Sequence, residues 1–192
     1  NGSFDKNPIQ KKCHFRDNFD DLNNSCILGA DVEPTYALIG DSHGDVFAYE
    51  LHKKLKSLNL ASYNFAFNGC SPVNFENNST KYMSNKCYKK IYQFLKSKKN
   101  IDNLIISFRW TSLITGMGYG DENLNIDKNI PKLNVKAINL RGKIISSKIT
   151  ELLSLGKKII LIYPIPEAGK DVPNYTTKQR MLKDNNFEIK IP

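Results

Sequence analysis

Apolar residues fall in short blocks along this chain, and polar stretches of helical period separate them. "TYALIG" (Thr35–Gly40), "SYNFAF" (Ser62–Phe67), "NLIISF" (Asn103–Phe108) and "KKIILIYPIP" (Lys157–Pro166) are apolar almost throughout. Unbroken apolar runs of this length predict strands covered on both faces. Between them, "VFAYELHKKLKSL" sets Phe47 or Ala48, Leu51, Leu55 and Leu58 on one helical face. "NKCYKKIYQFLKSKK" turns Tyr88, Ile91, Tyr92 and Leu95 inward, and "VKAINLRGKIISSKITELLSL" gives a third helix closed by Gly156 as its C-cap. The alternation predicts an α/β fold with three layers, α/β/α, around a mostly parallel sheet. Residues 1–34 are polar and read as an irregular N-terminal extension, and 35–192 as the α/β domain. Residues 111–134, rich in Gly and Asn, read as a long loop, and Pro164 stops the fourth strand. No helix or fifth strand is evident in "TTKQRMLKDNNFEIKIP", so the domain reads as truncated at the C-terminus.

With 192 residues there is room for one domain with a real core. No apolar run approaches the roughly 18 residues of a transmembrane helix. "NGSFDKNPIQKK" lacks an apolar signal core and reads as the start of an excised piece, or of a domain preceded by something else. The net charge of +9 is carried by lysine; Arg16, Arg109, Arg141 and Arg180 are the arginines. The lysines are scattered, with small clusters in "HKKLK" and "KSKK". This favours a solvated surface weakly drawn to anionic polysaccharide or lipid headgroups, and not a nucleic-acid partner. The cysteines Cys13, Cys26, Cys70 and Cys87 form two local pairs without a C-x-x-C. Four buried thiols would account for them. So would disulfides Cys13–Cys26 and Cys70–Cys87 in an oxidising compartment, although four cysteines allow three pairings. The first pair brackets a polar stretch with little core-forming power, where a staple stabilises most.

In a parallel sheet, ligands gather beyond the carboxyl ends of the strands. Those ends here read "GDSHG", "NGCSP", "RWTS" and "YPIPEAG". Ser42 sits where a strand turns into a helix. Taken alone it is well explained as a helix N-cap. A nucleophile also needs donors for an oxyanion and a base. The backbone N–H groups of Ser42 and Gly69 and the side chain of Arg109 are the candidate donors, from three strand ends that the sheet would bring to one edge. Each has a plainer alternative: a tight turn at Gly69, a surface charge at Arg109. Trp110 is a packing residue or the wall of a sugar site. No base is convincing. His14 lies in the extension, His43 is adjacent to Ser42 and points elsewhere, and His52 reads as solvated on its helix. Metal-ligand spacing is absent, as are G-x-S-x-G, G-x-x-x-x-G-K-[ST] and G-x-G-x-x-G, so no metal, nucleotide or other cofactor is expected.

Together, "IGDSH", "FNGCSP", "ISFRW" and "YPIPEAG" resemble the SGNH-hydrolase-like domain at the C-terminus of acyltransferase-3 membrane proteins, from about Cys13 to Pro173. These are bacterial O-acyltransferases that modify lipopolysaccharide O-antigen and other surface glycans. The resemblance implies a flavodoxin-like SGNH fold, with Ser42 as catalytic serine and Gly69 as second-block oxyanion glycine. Arg109 stands in "FRW", where many SGNH enzymes carry the Asn of Gly-x-Asn-Asp. It implies an acyl donor reached through a membrane acyltransferase domain of the parent protein, a surface glycan acceptor, and a periplasmic setting in which the cysteines pair. The family's Asp-x-x-His motif is missing: no Asp here is followed by His three residues later. The expectation is therefore O-acyl (acetyl) transfer to, or ester hydrolysis on, a cell-surface polysaccharide, with this fragment alone nearly inactive. The alternative is a non-catalytic glycan-binding module.

Overall fold

The computed structural model describes residues 9, 13, 21–67, 69–73, 85–115 and 134–163. After a 3-10 turn at Leu22–Asn24 the elements run β1 (Ile27–Gly29), β2 (Tyr36–Gly40), α1 (Ser42–Asp45), α2 (Ala48–Ser57) and β3 (Ala61–Ala66). Then follow α3 (Asn85–Ser97), β4 (Asn103–Ser107), α4 (Trp110–Thr115), α5 (Val135–Ser154) and β5 (Lys158–Leu161). The five strands form one sheet in the order β1-β3-β2-β4-β5. The β3–β2, β2–β4 and β4–β5 pairs are parallel, and β1 pairs with β3 antiparallel. This is the mostly parallel α/β architecture that the strand–helix alternation predicts.

The strands are apolar throughout because each face meets its own core. Ala37, Ile39, Tyr63, Phe65, Leu104 and Ile106 pack on one side with α3 and α5 residues such as Ile91, Leu95, Ile145 and Leu152. Phe94 of α3 sets its ring edge against the faces of Tyr63 and Phe65. Leu38, Ile105 and Leu28 face the other way, onto Ala48 and Leu55 of α2. Consecutive residues of one strand thus enter different cores, as a period of two requires.

Two expectations change. The stretch before Pro34 is not wholly irregular: Ile27–Gly29 joins the sheet as an edge strand. Three residues with one buried side chain, Leu28, give no readable periodicity. The helix expected over 46–58 is α2, and a separate short helix, α1 at Ser42–Asp45, precedes it. The start of the expected 111–134 loop is the short helix α4. His14, Pro164 and the expected gap after it lie outside the described residues. No described helix is long and apolar enough to cross a membrane.

The cysteines pair locally. Cys13 and Cys26, with Cα atoms 5.0 Å apart, are buried beside α2. Cys70 and Cys87, 5.7 Å apart, tie the turn after β3 to α3. Both bonds belong to the core and are more than surface staples.

Candidate active site at the carboxyl edge of the sheet

Strand register builds this site. Gly40 lies between Ala66 of β3 and Ser107 of β4 in matched positions. Ser42, Gly69 and Arg109 therefore leave the sheet within two or three residues of the same line. Residues 27 to 67 positions apart in sequence meet at one edge because β2, in the middle, is flanked by the strands that carry the other two.

Ser42 is exposed and is the first residue of α1. It does not cap that helix. Asp41 does: its Oδ1 accepts the His43 N–H at 2.8 Å. Its Oδ2 accepts the backbone N–H of Arg109 at 2.9 Å. One carboxylate, 3% exposed, thus closes the amino end of α1 and fixes the chain leaving β4. An N-capping carboxylate also suits the positive end of the helix. The role sequence reading left open for Ser42 belongs to its neighbour, and the serine hydroxyl is released from it. Asp is as strong an N-cap as Ser, so "GDSH" carried the signal, but helix starts are uncertain by a residue or two.

Two glycines let this turn lie against the sheet. A Cβ on Gly40 would come within 2.1 Å of the Ser107 carbonyl oxygen, and one on Gly44 within 2.8 Å. Neither distance is compatible with a side chain, so "G-D-S-H-G" is a steric requirement at both ends. Gly69 has φ 72°, in the left-handed region that glycine enters without penalty. The turn around it closes with the Cys70 N–H on the Phe67 carbonyl at 3.0 Å. Buried Ser71 then donates to the Val73 carbonyl and accepts the Val73 N–H.

Beneath α1 lies a buried polar link that sequence reading missed. Asn64 of β3 accepts the Ala66 N–H on Oδ1 and donates from Nδ2 toward Asp45 Oδ1 at 3.4 Å and the Cys13 carbonyl at 3.5 Å. The "N" inside an otherwise apolar strand was its signal. The histidines take other places. Nδ1 of His43 stands 3.8 Å from Asp41 Oδ1, beyond hydrogen-bond reach. His52 is not simply solvated: its Nδ1 accepts the Gly29 N–H at 2.9 Å, tying α2 to β1. Trp110 packs edge-on to Phe108 and donates its indole N–H to the Ile162 carbonyl at 2.7 Å, joining the ends of β4 and β5.

An exposed serine at the carboxyl end of a central parallel strand, beside a left-handed glycine and an arginine, is the arrangement that acyl transfer through a serine ester can use. No curated protein matches the chain. The family described as "SGNH domain (fused to AT3 domains)" matches residues 12–191. Because that match spans nearly the whole sequence and the sheet has the mostly parallel α/β form of the fold, the chain belongs to the SGNH domain family of the type fused to AT3 domains.

Proposed function

We propose that this domain carries an acyl group on Ser42 and passes it to a hydroxyl of a bacterial cell-surface polysaccharide, or releases it to water. The reading is supported above all by one observation: Ser42 is exposed at the end of the central strand while Asp41 takes over its capping duty. Family membership supports the reaction class, since SGNH domains are generally hydrolases or acyltransferases. Ser42 Oγ attacks the donor's acyl carbon and its proton goes to a base. The tetrahedral oxyanion is held by the N–H groups of Ser42 and Gly69 and by Arg109. Collapse expels the donor's leaving group and leaves the serine ester. A sugar hydroxyl then attacks in transfer, and water in hydrolysis; exclusion of water from the pocket decides between them. The donor arrives through a membrane acyltransferase domain, and the setting is periplasmic, where the two disulfides are stable.

The base is not among these 192 residues in the family's Asp-x-x-His form. Loss of a triad member costs several powers of ten in rate, so this chain alone turns over ester very slowly. That same observation favours a second reading, a glycan-binding module without chemistry. Ser42→Ala, made in the protein expressed with its flanking coding segments and assayed for acyl transfer and for glycan binding, separates the two. Transfer abolished with binding retained supports the nucleophile. Unchanged transfer removes Ser42 from the mechanism.

A further inference from the structure

The end of the molecule opposite Ser42 is unusually basic. Four chain segments meet there, bound to each other by backbone hydrogen bonds: Ala30 to Leu60, Thr35 to Ala61, Asp102 and Asn103 to Thr35, and Lys158 to Asp102. This end carries Lys54, Lys56, Lys96, Lys99 and Lys158, all exposed. None of these five makes an ion pair among the described residues. Lys157 is buried, with its ammonium on the Lys98 carbonyl at 3.0 Å. Lys98 lies over the Phe94 ring.

Helix ends do not absorb this charge. Lys54, Lys56 and Lys96 sit in the last turns of α2 and α3, where a cation complements roughly half a negative charge per helix. Lys99 and Lys158 lie beyond any helix. Asp31, Glu33 and Asp102 are the exposed carboxylates of the same loops. Set against seven lysines, three carboxylates and three helix ends leave the face clearly positive. Two apolar side chains stand among the lysines, Val32 at 39% and Leu58 at 53% exposure. The Ala30–Leu60 bond holds their loops side by side. A depression of about 320 Å³ lies between α3 and α5, bordered by Lys96, Lys99, Lys157 and Asp102.

We infer that this face docks on an anionic lipid bilayer. A free polyanion needs only the charge. Exposed Val32 and Leu58 amid lysines fit a surface that offers both anionic headgroups and an apolar boundary below them. The sheet separates this face from Ser42 by the length of β2, about 17 Å, so docking turns the serine edge toward the aqueous side. The inference rests on charge and exposure alone and stands whether or not Ser42 is a nucleophile.

Vesicle co-sedimentation of the 192-residue chain tests it, with phosphatidylcholine alone and with 30% phosphatidylglycerol added, each at low and high salt. Binding is expected only to the anionic vesicles and is lost at high salt. Each lysine near an anionic leaflet contributes about fivefold. Lys54→Gln/Lys56→Gln/Lys99→Gln therefore weakens binding on the order of 100-fold, while Lys89→Gln/Lys136→Gln/Lys143→Gln, with the same net charge, leaves it nearly unchanged. Leu58→Ser weakens binding at constant charge. Absence of binding to anionic vesicles overturns the inference. So does equal loss in the two triple variants, or polyphosphate binding as tightly as vesicles with no effect of Leu58→Ser.

Discussion

At Asp41 a single buried carboxylate holds the N–H groups of both His43 and Arg109. Asp41→Ala removes an N-cap and a second charge-assisted bond, and is expected to lower stability by about 2–4 kcal/mol. A shift of the urea midpoint at unchanged slope measures it. Asp41→Asn keeps one acceptor oxygen and falls between. Ser42→Ala behaves differently: the residue is exposed and caps nothing, so stability stays within about 0.5 kcal/mol. A loss of about 1 kcal/mol there would instead mean that the hydroxyl closes the helix. Gly40→Ala drives a methyl into the Ser107 carbonyl. It is expected to cost about 3 kcal/mol or more, read as lost soluble expression or a much lower melting temperature.

Within one layer, helix α3 is joined to α5 through Tyr88, whose hydroxyl donates to the Lys148 carbonyl at 3.2 Å. Burial, helped by the charge of Glu151, raises the Tyr88 pKa well above its ordinary 10.0. The folded state therefore holds the phenol proton more tightly than the unfolded chain. The contribution of Tyr88 is complete below about pH 10 and falls as pH rises further, because only the unfolded chain ionises freely there. In Tyr88→Phe this part of the alkaline loss disappears. At neutral pH the variant is less stable by about 1 kcal/mol, for the lost hydrogen bond. Denaturation midpoints of both proteins between pH 8 and 11 test the difference; parallel curves would mean that Tyr88 is not sealed by the α3–α5 contact.

On the scale of the whole molecule, the two disulfides tie polar segments to the two cores, one on each face of the sheet. Their sequence separations, 13 and 17, correspond to about 3 kcal/mol each from chain entropy. Against a typical domain stability of about 5–15 kcal/mol, reduction is expected to unfold the chain or to lower its melting temperature by well over 10 °C. Thermal melts with and without reductant check this. The Cys70–Cys87 bond has a second consequence: Gly69 adjoins it, so Cys70→Ala/Cys87→Ala loosens the turn of the candidate oxyanion donor as well as the fold.

The sequence by itself determined the layered α/β class, the four strands of the parallel ladder, the three long helices and the candidate positions Ser42, Gly69 and Arg109. Those are local properties: strand and helix periods are written in neighbouring residues, and the motif residues stand at the ends of readable strands. Tertiary structure alone decided what depends on partners distant in sequence. Short β1 becomes a strand because β3 offers it an edge. Nδ1 of His52 is committed to Gly29, and Asn64 to Asp45 and Cys13. Above all, the second oxygen of Asp41, whose first caps α1 locally at His43, is committed to the Arg109 N–H that the β2–β4 register brings in. Periodicity predicts which faces are apolar. It does not say which buried polar atom answers which, and that pairing sets the geometry of the site.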